Sequence, residues 1–356
     1  MKIWIDVLTP KQVLFLGALA TRLEKNGHEV FLTTRRYREV NQLLEMKGYK
    51  AKVIGEHGGA SVFKKLRASA QRIASLAKQI KRVEPSLAVS FSSVEAARVA
   101  FGLSIPHYCV SDSPHAVAVS RLSVPLSKRL FTPWIIPKKA WTRYGISSNN
   151  ITTYRAIDPV VWIKGLRPDK KVLKDLNLDK DKPIVTIRPE ETYAAYLLQE
   201  GIGQRSITED VVKNLMGVDK DLQIVVVSRY GHEFANKWEK FGKSVMVTRS
   251  IIDGPSLLAQ SSLCIGAGGT MTAEAALLGI PSASVYPGEP TIVEKYLIRL
   301  GLVYRSLDPK HLVNTSIKMM FDRKLLKKNR ALSQKLLKSM EDPISVIANR
   351  VTKYEK

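Results

Sequence analysis

A chain of 356 residues is too long for one ordinary hydrophobic core and suits two domains of usual size. Hydrophobic residues make up 45% of it and charged residues 25%, a globular balance that excludes a disordered chain. No stretch reaches the roughly 18 uninterrupted apolar residues of a membrane span. Lys and Arg outnumber Asp and Glu by 56 to 32, and the resulting formal charge of +24 favours anionic partners: nucleic acid, an anionic membrane surface or a phosphate-rich substrate.

In chain order, the N-terminal segment MKIWIDVLTPKQVLFLG reads as a strand and a loop. It lacks the charged region, apolar region and cleavage site of a signal peptide, so a cytoplasmic protein is expected. Strands are expected near Lys2–Val7, Glu29–Thr33, Ala51–Ile54, Leu87–Phe91, His107–Val110 and Ile151–Tyr154. Helices fall between them at Val13–Lys25, Glu39–Lys47, Val62–Arg82 and Val94–Phe101, each ending on a stop signal such as Asn26-Gly27, Gly48, Pro85 or Gly102. The run Arg121–Trp141 mixes basic and bulky apolar residues. Its three prolines disfavour one long interfacial helix, so a buried strand flanked by turns is expected rather than a membrane-surface contact.

After the polar stretch Gly165–Lys182 the alternation restarts. Strands are expected near Ile184–Ile187, Gln223–Val227, Val245–Val247, Leu263–Gly266 and Ala283–Val285. Helices are expected at Thr208–Met216, Gly254–Ala259, Thr270–Leu278 and Ile292–Leu300. This is the grammar of two α/β domains, residues 1–164 and 165–340. Asp342-Pro343 then starts a last helix in residues 341–356, which would pack back on the first domain. The two cysteines, Cys109 and Cys264, sit inside apolar runs and read as buried free thiols, with neither a disulfide framework nor metal spacing around them.

The segment Leu263–Pro287, LCIGAGGTMTAEAALLGIPSASVYP, carries the most chemistry. A buried strand runs into the glycines Gly266, Gly268 and Gly269, and a helix begins at Thr270. Glycines allow close backbone approach, and the free N–H groups and dipole of a helix start make a seat for pyrophosphate. Glu274, one turn on, is placed to accept the hydroxyls of a ribose. The segment is neither a Walker A loop nor a G-x-G-x-x-G fingerprint. A tight turn with a capped helix is the competing structural reading.

GGTMTAEAALLGIPSASVYP resembles the donor-site segment of GT-B glycosyltransferases, in particular that of the lipid-linked N-acetylglucosamine transferase of peptidoglycan synthesis. EAALLGIP also resembles the matching segment of the non-hydrolysing UDP-N-acetylglucosamine 2-epimerases. The whole chain resembles a family of archaeal and bacterial proteins of unknown function predicted to share this fold, through WIDVLTP, NGHEVFLTTR, SVEAARVAFGLSIP, SDSPHA, TIRPE and GAGGTMTAEAALLG. The resemblance implies an α/β fold of GT-B type, two Rossmann-like domains facing a central cleft. It further implies a nucleotide-sugar donor on the second domain, with Gly268 and Gly269 on the diphosphate and Glu274 on the ribose. That family often carries histidines in the first loop, where this chain has Thr9-Pro10-Lys11-Gln12. The general base is therefore sought elsewhere.

Further candidates follow strand ends, where open α/β sheets bind ligands. Arg188 is placed to clamp phosphate oxygens, with a salt bridge to Glu190 as the structural alternative; Arg229 ends the next strand in a similar way, and Glu289 is placed for a sugar hydroxyl. Asp6, Asp112 and His115 are the candidate bases. His28 reads as a packing or capping residue, and Asp179-Lys180-Asp181 as a charged turn rather than a metal-binding D-x-D. The leading expectation is a metal-independent glycosyltransferase needing no cofactor beyond its nucleotide-sugar substrate, UDP-linked, acting on an anionic or membrane-borne acceptor. A UDP-sugar 2-epimerase and a non-catalytic nucleotide- or RNA-binding protein are the alternatives.

Overall fold

The computed structural model describes residues 1–59, 61–190, 206–218, 221–228 and 238–355. It divides into two compact units, one formed by Met1–Val161 together with Glu341–Lys356, the other by Trp162–Met340. In the first unit the elements run β1 (Lys2–Val7), α1 (Pro10–Lys25), β2 (Glu29–Arg36), α2 (Arg38–Met46), β3 (Lys52–Glu56), α3 (Val62–Val83), β4 (Leu87–Ser90), α4 (Val94–Gly102), β5 (His107–Val110), α5 (Val117–Ser123), β6 (Arg129–Pro133) and β7 (Ile151–Tyr154). The strands form one sheet in the order β3-β2-β1-β4-β5-β6-β7, with every pairing parallel.

The strand sequences follow from this topology. A parallel strand covered by helices on both faces is apolar along its length, and in β1 every residue from Ile3 to Val7 is buried, Asp6 included. Asp6 is the exception in chemistry. Arg72 of α3 donates Nη2 to its Oδ1 at 2.6 Å and Nη1 to its Oδ2 at 3.1 Å. Thr33 Oγ1 of β2 donates to Oδ1 and Ser93 Oγ to Oδ2, each at 2.6 Å. Ser93 also caps α4 by accepting from Ala96 N, and Trp4 Nε1 donates to Thr33 Oγ1. Arg72 lies against Gly55, whose φ of +75° and lack of a Cβ make room for the side chain; a Cβ there would come within 2.9 Å of it. The carboxylate expected among the candidate bases is thus enclosed, and the guanidinium and two hydroxyls hold its pKa below the ordinary value against the effect of burial.

The run Arg121–Trp141 contains a buried strand, as expected: β6 follows the short helix α5, and Trp141 is buried with its Nε1 donating to Thr132 Oγ1. The helix Pro343–Glu355 packs on α1, where Arg22 donates to Ser345 Oγ at 2.8 Å and Tyr354 meets Tyr108 edge-on. His28 is buried, with its Nδ1 3.3 Å from the terminal nitrogen of Met1.

The second unit carries β8 (Ile184–Arg188), β9 (Gln223–Val226), β10 (Val245–Val247), β11 (Leu263–Gly266), β12 (Ser282–Ser284) and β13 (Tyr304–Arg305), ordered β10-β9-β8-β11-β12-β13 and again all parallel. Its core joins Val185, Ile187, Ile224, Val226, Leu263 and Ile265 of the strands to Val211, Val212 and Leu215 of the helix Ile207–Met216. The helix Arg323–Ser339 lies against Thr270–Leu278, with Ser333 Oγ donating to Leu277 O. β12 begins one residue before the expected strand, and β13 and the helices Pro309–Phe321 and Arg323–Ser339 lie in sequence to which no element is assigned beforehand.

Two expectations on stability follow. Removing the charge in Arg72→Met leaves Asp6 buried without its partner and destabilises the first unit by about 3–5 kcal/mol; urea unfolding followed by far-UV circular dichroism measures it. His107 is buried between Ser90 Oγ and Ser127 Oγ, each 2.8 Å from a ring nitrogen, and burial lowers its pKa from 6.5 to about 4. The unfolded chain therefore takes up this proton first. Stability falls as pH drops from 6.5 towards 4, by about 3 kcal/mol from this residue, and His107→Gln flattens that slope.

Candidate functional site

In the first unit the order reverses between β1 and β4, so the sheet has a switch point at their carboxyl ends, where open α/β sheets hold ligands. The loop after β1 starts α1 at Pro10 and turns Lys11 towards that edge. Lys11 Nζ lies 2.5 Å from Asp112 Oδ2, beyond β5, and 2.6 Å from Asp158 Oδ2, beyond β7. Its ammonium also sits 4.5 Å from the centre of the Phe91 ring, and Gln12 ties the loop down by accepting from Leu8 N and donating to Phe91 O. Tyr154 donates its hydroxyl to Asp158 Oδ1 at 2.5 Å.

One ammonium thus faces two carboxylates. The Asp158 side chain has no exposed surface, whereas that of Asp112 keeps 20% of its own. Like charges sharing one partner push their ionisations apart. Burial and the Asp112 charge raise the Asp158 pKa; the Lys11 ammonium lowers that of Asp112; and both carboxylates raise that of Lys11 against burial. Burial also lifts the Tyr154 phenol well above its ordinary value, so it remains a donor.

His115 is exposed on the same loop as Asp112. The loop is pinned from behind, with Arg143 and Tyr144 both donating to Pro114 O, at 3.0 and 2.6 Å. Partial burial lowers the His115 pKa below 6.5 while the Asp112 charge raises it. The ring is therefore neutral at pH 7, with an anion nearby to favour the imidazolium. The structure gathers Asp112 and His115 on one loop and adds Lys11, Asp158 and Tyr154, which the sequence reading misses. Asp6 stays beneath the sheet edge with its oxygens occupied by Arg72, Thr33 and Ser93.

In the second unit the reversal falls between β8 and β11. Gly266 pairs with Arg188 across these strands, and Ala267 N donates to Arg188 O at 2.9 Å, so the arginine and the glycine turn share one edge. Arg188 is anchored by donating Nη1 to Val227 O at 2.7 Å, while Glu190 accepts from Ser206 Oγ and Thr208 N. Gly268 and Gly269 have φ of +87° and +92°. A Cβ on Gly268 would reach 2.8 Å from the Tyr286 ring, so this turn requires glycine on both backbone and packing grounds. Gly269 precedes the helix Thr270–Leu278 and offers no side-chain cap, leaving the first backbone N–H groups directed at the edge.

Glu274 is 4% exposed and accepts from Trp162 Nε1 at 2.9 Å. Its charge, together with burial, pushes the Cys264 thiol up to about 12, so that thiol is inert. Glu289 lies on the surface paired with Lys295. Asp179 accepts from Asp181 N inside a turn, and among the described residues no group of three metal-binding side chains forms. Arg229 lies outside the described residues.

Several solved structures share the fold. A UDP-GlcNAc 2-epimerase of Neisseria meningitidis bound to UDP-GlcNAc superposes with a TM-score of 0.77 at 14% identity, covering 99% of this chain and 100% of its own. The UDP-GlcNAc 2-epimerase of Methanocaldococcus jannaschii in complex with UDP-GlcNAc and UDP gives 0.69 at 16%, covering 94% and 99%. A spinosyn forosaminyltransferase gives 0.62 at 15%, covering 99% of each chain. The fold is therefore that of GT-B enzymes, two Rossmann-like units with parallel sheets and flanking helices. An uncharacterised protein of Methanocaldococcus jannaschii is 31% identical over all of this chain and 99% of its own length. The protein family of unknown function called DUF354 matches residues 1–356, and the chain belongs to that family.

Proposed function

We propose that this protein is a glycosyltransferase that takes a sugar from a nucleotide-linked donor, UDP-linked by its resemblances, to an acceptor hydroxyl. The observation that carries the reading is the edge shared by Arg188, Gly268, Gly269 and the uncapped start of the helix Thr270–Leu278. Backbone N–H groups at a helix start and a guanidinium suit a diphosphate, and they need no metal to offset its charge. Glu274, one turn into the helix that follows the glycines and oriented by Trp162 Nε1, suits the ribose hydroxyls as a carboxylate acceptor.

In the first unit His115 takes the acceptor proton as the neutral ring, and Asp112 favours the imidazolium that results. The acceptor oxygen then bonds to the anomeric carbon as the bond from that carbon to the diphosphate breaks. The electron pair leaves with the nucleotide diphosphate, which Arg188 and the helix start stabilise. Lys11 keeps Asp112 and Asp158 in place, and the basic surface of the chain suits an acceptor with negative charge.

A 2-epimerase is the second reading, favoured by the higher TM-scores of the epimerases than of the transferase. The two differ in outcome. A transferase releases nucleotide diphosphate once per turnover, whereas an epimerase interconverts nucleotide sugars and keeps them intact.

Calorimetry with UDP-, GDP-, ADP- and CDP-sugars tests the donor site. One nucleotide class should bind the native chain and bind Glu274→Ala about 10–100-fold more weakly, the loss expected for hydrogen bonds to a charged group. Trp162→Phe, which removes the indole donor and keeps an aromatic ring, should retain most of the affinity. No binding across the panel, or equal binding by Glu274→Ala, rejects the donor assignment. For the base, His115→Ala should slow nucleotide release about 10²–10⁴-fold with donor affinity unchanged. The native rate should fall on acidification through the lowered His115 pKa, below pH 6.5, because only the neutral ring accepts a proton.

A further inference from the structure

A second cluster of charge lies at the carboxyl end of β2 and β3, away from Lys11 and its carboxylates. Arg35, next to last in β2, is half-buried. Its Nε is closed off from water without a hydrogen-bond partner, and among the described residues its guanidinium makes no ion pair within 4 Å. The nearby carboxylates are engaged elsewhere: Asp6 is held bidentately by Arg72, and Glu95 stands 3.8 Å from the same guanidinium. Arg35 thus stands as a second guanidinium beside that of Arg72, near Asp6 and Glu95 but in direct contact with neither. Burial lowers its pKa, as does the Arg72 charge, while the Glu95 and Asp6 charges oppose the shift without cancelling it. A part-buried guanidinium with no directly bonded counter-ion costs free energy, which an anion on its outer nitrogens would offset.

Adjacent groups are arranged for that anion. β2 and β3 pair in parallel with Arg36 opposite Glu56, and His57 N donates to Arg36 O, so His57 follows at the neighbouring strand end. The His57 ring stacks on Tyr37, centroids 4.9 Å apart. Its Nδ1 accepts from Gly59 N at 3.1 Å, which puts the proton of the neutral ring on Nε2. Burial and the Arg35 and Lys65 charges lower its pKa from 6.5 to about 4, so at pH 7 the ring offers one fixed N–H. Gly58 lets the loop close onto the first turn of α3, since a Cβ there would reach 2.4 Å from the Lys65 Cα. Glu39 is the other charged group acting on His57, in the opposite sense.

We propose that Arg35 and His57 form a phosphate-binding site for an acceptor that carries a phosphate group. A guanidinium fork supplies two parallel donors and the imidazole a third from the next strand end, a set suited to a tetrahedral oxyanion. The proposal rests on the reading of the first unit as the acceptor unit. The ligand chemistry is the same whether the phosphate is soluble or displayed on a lipid.

The test uses the full chain with saturating UDP, so that the glycine turn of the second unit does not compete for the probe. Glycerol 3-phosphate is titrated by calorimetry, and phosphatidylcholine vesicles with and without phosphatidic acid are tested by co-sedimentation. The native chain should bind one of the two probes. Arg35→Gln should weaken that binding about tenfold or more and His57→Ala by less, with Arg35→Lys intermediate because a lysine keeps the charge and loses the fork. UDP-sugar affinity, reported by the site containing Glu274, should be the same in all of them. Loss with glycerol 3-phosphate identifies a soluble acceptor, and loss with phosphatidic acid vesicles alone a lipid-borne one. Native binding of neither probe overturns the proposal, as does unchanged binding by an Arg35→Gln chain whose thermal transition matches the native one. Failure of UDP-sugar binding with Arg35-dependent phosphate binding intact would reject the donor reading and leave this site standing.

Discussion

The pairing of Asp6 with Arg72 is the constraint on which the first unit depends. A carboxylate inside the central strand of a parallel sheet is costly unless every lone pair is met. Here three other elements meet those of Asp6 in β1: α3 supplies the guanidinium, β2 the hydroxyl of Thr33 and the start of α4 that of Ser93. The same serine caps α4, and the same arginine donates Nε to Ile54 O of β3. One buried charge therefore fixes the register of two strands against two helices.

At the sheet edge the logic differs. Lys11, Asp112 and Asp158 are also an ion cluster, but it carries one positive and two negative charges, and part of it meets solvent. Imbalance at a switch point tunes protonation, whereas balance in the core maintains shape. The second unit has no such cluster among the groups described at its edge. It offers backbone N–H groups, two glycines with positive φ and an anchored arginine, the features on which the proposed diphosphate seat rests.

Much of this was legible in the residues. The ends of β1, β5, β7, β10 and β11 and of the helix Thr270–Leu278 coincide with those expected, because apolar runs there stop on polar or glycine punctuation. β13 has two residues, too few for any periodicity, and the helix Arg323–Ser339 is so rich in lysine that its apolar stripe is thin. Asp112 and His115 could be found because they follow a clear strand. Lys11 resembles any surface lysine until Asp112 and Asp158, about 100 and 150 residues away in sequence, are brought to it by the parallel topology. Asp6 reads as an edge residue because it lies near the end of a strand. The alternation of the strand instead places its side chain under α3, where Arg72 is waiting.

The first unit is completed by the last residues of the chain, since Pro343–Glu355 lies on α1. During synthesis the seven strands of that unit all emerge before the helix that packs on α1 exists. At ribosomal rates, making the residues between Val161 and Glu341 takes roughly 10 to 40 s. Throughout that interval α1 lacks the helix that packs on it, while the second unit is synthesised without interruption and is complete once Met340 has been added. The unit begun first is thus the one completed last, and Pro343–Glu355 acts as the latch that closes it.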